Sequence, residues 1–122
     1  MYTMDDNCTI YKTTNFIGKR WTLLILLELY RGESKTRRYS ELKKGLPEIT
    51  PKILSLRLKE LEKEGLVSKR IDASSVPIKS EYSLTKSGED FISIIKDIKK
   101  WALRWKVKNI VCEKANCEDC EL

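Results

Sequence analysis

No histidine occurs among the 122 residues. That removes the Ser-His-Asp and Cys-His routes to nucleophilic catalysis and any Cys₂His₂ zinc finger. The five glycines are scattered, so no glycine-rich loop is available to cradle a phosphate. Only thiols remain to do chemistry, and an enzyme is not expected. The longest apolar run, Leu23 to Leu27, is far short of the ~20 residues a membrane span needs. The N-terminal MYTMDDNCTI is acidic and lacks an apolar centre, which argues against a secretory signal and for the cytoplasm, where cysteines are normally reduced.

Charge and apolar residues are both plentiful, at 34% and 41%. At this length they specify one globular domain with a modest core. The net charge of +6 favours an acidic partner, nucleic acid first. A lysine-rich solvated surface gives the same excess, so charge alone does not decide.

The pattern begins with a short helix over residues 8–17, carrying Ile10, Phe16 and Ile17 and broken by Gly18. Residues 21–30, WTLLILLELY, read as a buried helix with Trp21, Leu24, Ile25 and Leu29 at core spacing. Arg31-Gly32 stops it. A polar loop from Glu33 to Arg38 follows, then a brief helix over residues 39–46 with Tyr39, Leu42 and Leu46 on one face. Pro47 ends that helix. Thr50 is a good N-cap for the next, Pro51 suits its first position, and Gly65 suits the residue just past its end. Helix, tight turn, helix is the helix-turn-helix layout.

Rotating the 50–64 helix by about 100° per residue separates its faces. Leu54, Leu58 and Leu61 share a narrow core sector. Lys52, Ser55, Leu56, Lys59 and Lys63 fall opposite, with Thr50 and Arg57 at one margin and Glu60 at the other. The outward face is basic with one exposed leucine, which suits packing on a thymine methyl or on a partner protein. A solvated helix face is equally basic.

Residues 66–71 and 78–84 alternate like strands and Asp72 to Pro77 forms the tip between them. Lys69, Arg70 and Lys79 lie near that tip, placed either for phosphate contact or as ordinary hairpin charges. Thr85 opens a last helix to about Lys108. Phe91, Ile98 and Trp105 recur every seven residues in it, with Ile94, Ile95, Trp101 and Ala102 between. Such a helix spans roughly 34 Å, longer than a small winged helix needs. Its apolar stripe calls for a second surface, a dimer partner or the first helix of its own chain. The fold class is therefore α+β, mainly α: a winged helix-turn-helix over residues 1–108 with N- and C-terminal dimerisation helices, followed by a Cys-containing acidic tail over residues 109–122.

The chain resembles the HxlR family of winged-helix transcription regulators, relatives of the MarR type, over about residues 8–105. The carriers are Cys8; Gly18-Lys19-Arg20-Trp21; Arg38-Tyr39-Ser40-Glu41-Leu42; Leu46-Pro47-Glu48-Ile49; Leu58-Lys59-Glu60-Leu61-Glu62-Lys63-Glu64-Gly65-Leu66-Val67; Arg70, Pro77 and Glu81-Tyr82-Ser83-Leu84-Thr85; then Gly88 and Trp101. Each is weak alone; their order and spacing are specific. The resemblance implies a homodimer joined through the first and last helices, with Phe91, Ile94, Ile95, Ile98, Trp101 and Trp105 at the interface. It implies a double-stranded DNA partner with a pseudo-palindromic operator, read by the 50–64 helix in the major groove. Thr50, Lys52, Ser55, Arg57 and Lys59 carry over as groove contacts, and Arg70 and Lys79 as wing contacts. Two features depart from the family: a longer, basic loop between Gly32 and Arg38, and the C-terminal tail.

Four cysteines occur, Cys8 and then Cys112-x₄-Cys117-x₂-Cys120. Cys8 stands where many family members carry a cysteine, and some of those sense oxidants or electrophiles. Here it has Asp5 and Asp6 nearby and no basic neighbour, so a small apolar residue in the dimer core is an equal reading. In the tail, Cys-x₂-Cys is a two-ligand clip that Cys112 and Cys8 would complete as a site for zinc or an iron–sulfur cluster. A redox disulfide and a set of free thiols are the competing readings. The expected function is that of a sequence-specific DNA-binding regulator, possible redox or metal response included. The alternative is a winged helix used for protein–protein assembly, anchored by Leu56.

Overall fold

The computed structural model describes residues 7–114 except 75, together with 116 and 118. Among the described residues, six α-helices and a three-stranded sheet follow in the order α1 (Thr9–Ile17), α2 (Thr22–Arg31), β1 (Thr36–Arg38), α3 (Tyr39–Gly45), α4 (Pro51–Lys63), β2 (Val67–Asp72), β3 (Lys79–Leu84), α5 (Lys86–Trp105) and α6 (Ile110–Lys114). This is the expected winged helix-turn-helix, mainly helical with a small antiparallel sheet.

The core is one apolar cluster. Ile25, Leu26 and Leu29 of α2 meet Leu42 of α3, Leu54, Leu58 and Leu61 of α4, Val67 and Tyr82 of the sheet, and Ile92 and Ile95 of α5. Leucines at i, i+4 and i+7 place one face of α4 entirely in it. Thr50 caps α4, its Oγ1 accepting from Ile53 N–H at 3.2 Å. Just past the helix C-cap, Gly65 turns the chain at a φ of +84°, a left-handed conformation that side chains resist.

The strand–helix joint after the wing is equally specified. Thr85 Oγ1 donates to Gly65 O at 2.6 Å and accepts from Gly88 N–H at 3.2 Å, capping α5. A Cβ on Gly88 would lie 2.2 Å from Leu66 O, so only glycine permits this close approach.

Four expectations need correction. The 33–38 loop contains a strand: after a 3₁₀ turn at Glu33–Lys35, β1 pairs with β3 and the sheet order is β1-β3-β2. Three polar residues carry no alternation to read, and the pairing is made by backbone. Trp21 precedes α2 rather than opening it, at φ +81°, half-buried beneath the Arg20 guanidinium 4.7 Å from its ring. Leu24 is 46% exposed, while Leu26 and Thr22 take the buried positions on α2. Trp21 lies outside the helix and so sets no phase for it, and α5, α3 and the sheet cover the sector of Thr22, Ile25, Leu26 and Leu29. Finally, α5 stops at Trp105, where Lys106 and Val107 N–H both turn onto Ala102 O, and a separate short helix, α6, follows.

Candidate nucleic-acid interface

The outward side of α4 carries Lys52, Ser55, Leu56 and Lys59, all exposed, with Thr50 exposed at its N-terminus. The core leucines fix this orientation, because the opposite face is fully used. No carboxylate occurs between Pro51 and Lys59, so the first two and a half turns present a positive surface with the helix N-terminus behind it.

Ser55 belongs to a small relay. Its hydroxyl lies 3.4 Å from Tyr39 OH, which donates to Pro51 O at 3.2 Å. A carbonyl only accepts, so the single Tyr39 proton goes to Pro51. The Ser55 hydroxyl then donates to Tyr39, which leaves it only lone pairs to offer a further partner. Tyr39, expected on the apolar face of α3, is not among the expected DNA contacts. The signal was its place directly after Arg38 at the start of α3, where Glu41 caps the helix by accepting from Arg38 N–H at 2.9 Å.

The wing adjoins the same place. Arg38, Tyr39 and Ser40 line an open cleft with Pro77, Ile78, Lys79 and Ser80. The start of α3 thus touches the N-terminal half of α4 on one side and the loop end of the wing on the other. Lys79 is half-buried at this end, in register with Asp72. Arg70 is exposed on β2 opposite Glu81, and Arg38 on the other neighbouring strand lies 4.0 Å from that carboxylate. The added charges of the Gly32–Arg38 loop are largely tied down as well. Arg37 Nε donates to Glu28 O at 3.2 Å and its guanidinium lies 3.7 Å from Glu41.

Arg57 departs from its expected role as a groove contact. It is 15% exposed and binds inward, Nε to Arg20 O at 3.2 Å and a terminal nitrogen to Glu60 Oε1 at 2.8 Å. Lys19 closes the other side of Glu60 at 2.6 Å. Burial pushes the Glu60 carboxyl up, but the hydrogen bonds and charges of Lys19 and Arg57 outweigh it and hold the carboxyl below its ordinary value of 4.5. This network straps α4 to the 18–21 turn that joins α1 and α2, and it puts Arg57 and Glu60 on the same margin of α4 instead of the opposite margins expected, because residues three apart are neighbours on a helix surface.

The apolar stripe of α5 divides. Ile94, Ile98, Trp101 and Trp105 are exposed, as is Ile10 of α1, and Phe91 is half-buried. Ile95 is only 6% exposed and packs in the core of its own subunit, so it is not available to a partner as expected. It follows Ile92 by one helical turn, on the face that α2 covers.

Cys8 is a free, exposed thiol at the N-cap of α1, and Cys112 is a half-buried free thiol on α6. Cys117 and Cys120 lie outside the described residues. Among the described residues no group of three or more His, Cys, Asp or Glu is placed to hold a metal ion, and no helix is long and apolar enough to cross a membrane.

Comparison with known proteins agrees with this fold. The chain is 42% identical over 94 residues to the HTH-type transcriptional regulator YvaP of Bacillus subtilis (strain 168), covering 77% of this chain and 83% of that protein. A MarR-family transcriptional regulator from Porphyromonas gingivalis W83 superposes with a TM-score of 0.73 at 34% identity, over 86% of this chain and 99% of the other. The oxidised form of the redox regulator HypR superposes at 0.66 with 32% identity, over 82% and 99%. Residues 16–110 match the HxlR-like helix-turn-helix model, and with the winged fold in place the chain belongs to the HxlR family of helix-turn-helix transcriptional regulators.

Proposed function

We propose that this regulator acts in the cytoplasm as a homodimer that binds a pseudo-palindromic operator, each subunit laying α4 in the major groove and its wing along the flanking backbone. The observation that carries the reading is the outward face of α4, where Lys52, Ser55 and Lys59 stand together without a carboxylate. Lysines there supply affinity through phosphates, while Ser55 is placed to read a base edge. Thr50 stands at the same end of the helix, and Arg70 and Lys79 serve the wing. The exposed stripe of Ile94, Ile98, Trp101 and Trp105 supports dimerisation, since four large apolar side chains on one helix face disfavour a monomer in water.

Regulation is by thiol oxidation at Cys8. Its exposure on α1, in a chain similar to the redox regulator HypR, supports this reading. The test is fluorescence anisotropy on DNA upstream of the chain's own gene, with protein reduced and then mildly oxidised. Nanomolar binding that falls on oxidation in the wild type but not in Cys8→Ser is expected. Equal binding in both states would remove the redox element. Weak, sequence-blind binding throughout would favour use of the fold for protein–protein assembly.

A further inference from the structure

Leu56 is the one large apolar side chain exposed on α4 among the described residues, at 46%. It sits in the second turn, where a groove-reading helix meets base edges. Lys52 lies one turn before it and Lys59 one turn after it on the same side. A protein partner would have to accept this leucine together with both ammonium groups, and the neighbouring Ile53, one turn earlier, is half-buried against the core, so the exposed apolar area is small. DNA satisfies all three at once: phosphates take the lysines, and the groove floor between them presents apolar surface only where a thymine carries its 5-methyl group.

We propose that Leu56 is a specificity-determining residue that reads the 5-methyl of one thymine in each operator half-site. The inference rests on the proposed placement of α4 in the major groove. The lysine and serine contacts are polar and leave this position of the site unread. Leu56 distinguishes thymine from cytosine, which lacks the methyl and presents an amino group to an apolar side chain. Discrimination follows from burial of the methyl and desolvation, not from a hydrogen bond.

The test separates the methyl from the base pair. Operators are selected from random duplexes with the full chain, and each thymine is then replaced singly by deoxyuridine. That replacement removes the methyl and keeps every hydrogen-bonding group. One thymine per half-site should prove sensitive, its replacement weakening wild-type binding about fourfold, the value of one buried methyl. Leu56→Ala should bind thymine and deoxyuridine operators alike, while Leu56→Met should keep part of the preference. Retained sensitivity in Leu56→Ala, or a wild type indifferent to every methyl, overturns the inference while leaving operator binding intact. A selection that enriches no sequence overturns the groove placement itself, and this inference with it.

Discussion

The two basic residues Arg57 and Lys59 differ by two positions in α4, yet the structure gives them opposite employment. Arg57 is spent on Glu60 and Arg20 O, whereas Lys59 is exposed. Salt dependence separates them. If Lys52, Lys59, Arg70 and Lys79 of both subunits each meet a phosphate, about eight counterions are displaced and log K should fall with log salt at a slope of about −7. Affinity would then drop by about 10⁴ between 50 and 200 mM salt. Lys59→Ala removes two of those contacts per dimer, so the slope should shrink by about 2 and the drop by about tenfold. Arg57→Ala should leave the slope unchanged. Its cost should appear in folding stability, at about 1 kcal/mol, because it removes a partly exposed ion pair and a hydrogen bond. Anisotropy titrations at four or five salt concentrations, with urea unfolding of each variant in parallel, make the measurement. Equal slope changes for the two variants would refute the assignment of Arg57 to the strap, and an unchanged slope for Lys59→Ala would refute its contact with phosphate.

Three further outcomes are expected. Leu58→Ala, in the core face of α4, should lower unfolding stability in urea by about 2–5 kcal/mol, against little change for exposed Leu56→Ala; similar costs would show that the two faces are misassigned. Glu60 has a lowered folded-state pKa, so its contribution is present above the unfolded value and fades as pH falls through the folded one. The stability gap between wild type and Glu60→Gln should therefore narrow as pH drops below about 4.5, and a gap constant from pH 7 to 3 would contradict the strap. Tyr39→Phe frees the Ser55 proton and should relax a preference for an adenine or cytosine amino group at the base facing Ser55, read by operator selection; an unchanged preference would show that the relay does not polarise Ser55.

Much of this fold is legible because local signals agree with one another. Thr50, Pro51 and Gly65 bracket α4 by chemistry that needs no tertiary context, and Leu54, Leu58 and Leu61 fix its rotation. The joint at Thr85 is similar, since the cap and the glycine that lets the backbone approach are both written in the sequence. β1 is not legible in this way. Thr36, Arg37 and Arg38 become a strand because β3 offers a free edge, and an edge is a property of the sheet, not of the segment that joins it. Leu24 illustrates the same limit on a helix: a continuous apolar run contains a core face and a surface face, and only the neighbouring elements decide which is which.

The interface divides along the same line. Lys52, Ser55 and Lys59 follow from periodicity once the core leucines are known, because the face opposite a filled core is solvent or ligand. Arg57 does not, because a margin residue can turn either way. What turns it inward is a carbonyl 37 positions earlier in the chain and a carboxylate one helical turn later. Its inward turn has a consequence for regulation as proposed. The strap joins α4 to the turn after α1, the helix that begins at Cys8. A displacement of α1 on thiol oxidation would therefore reach α4 through Lys19, Glu60 and Arg57 before it reached the wing, which has no tie to that turn among the described contacts. Oxidation should accordingly alter groove contacts first, and a Glu60→Gln variant should bind DNA while responding less to oxidant than the wild type does.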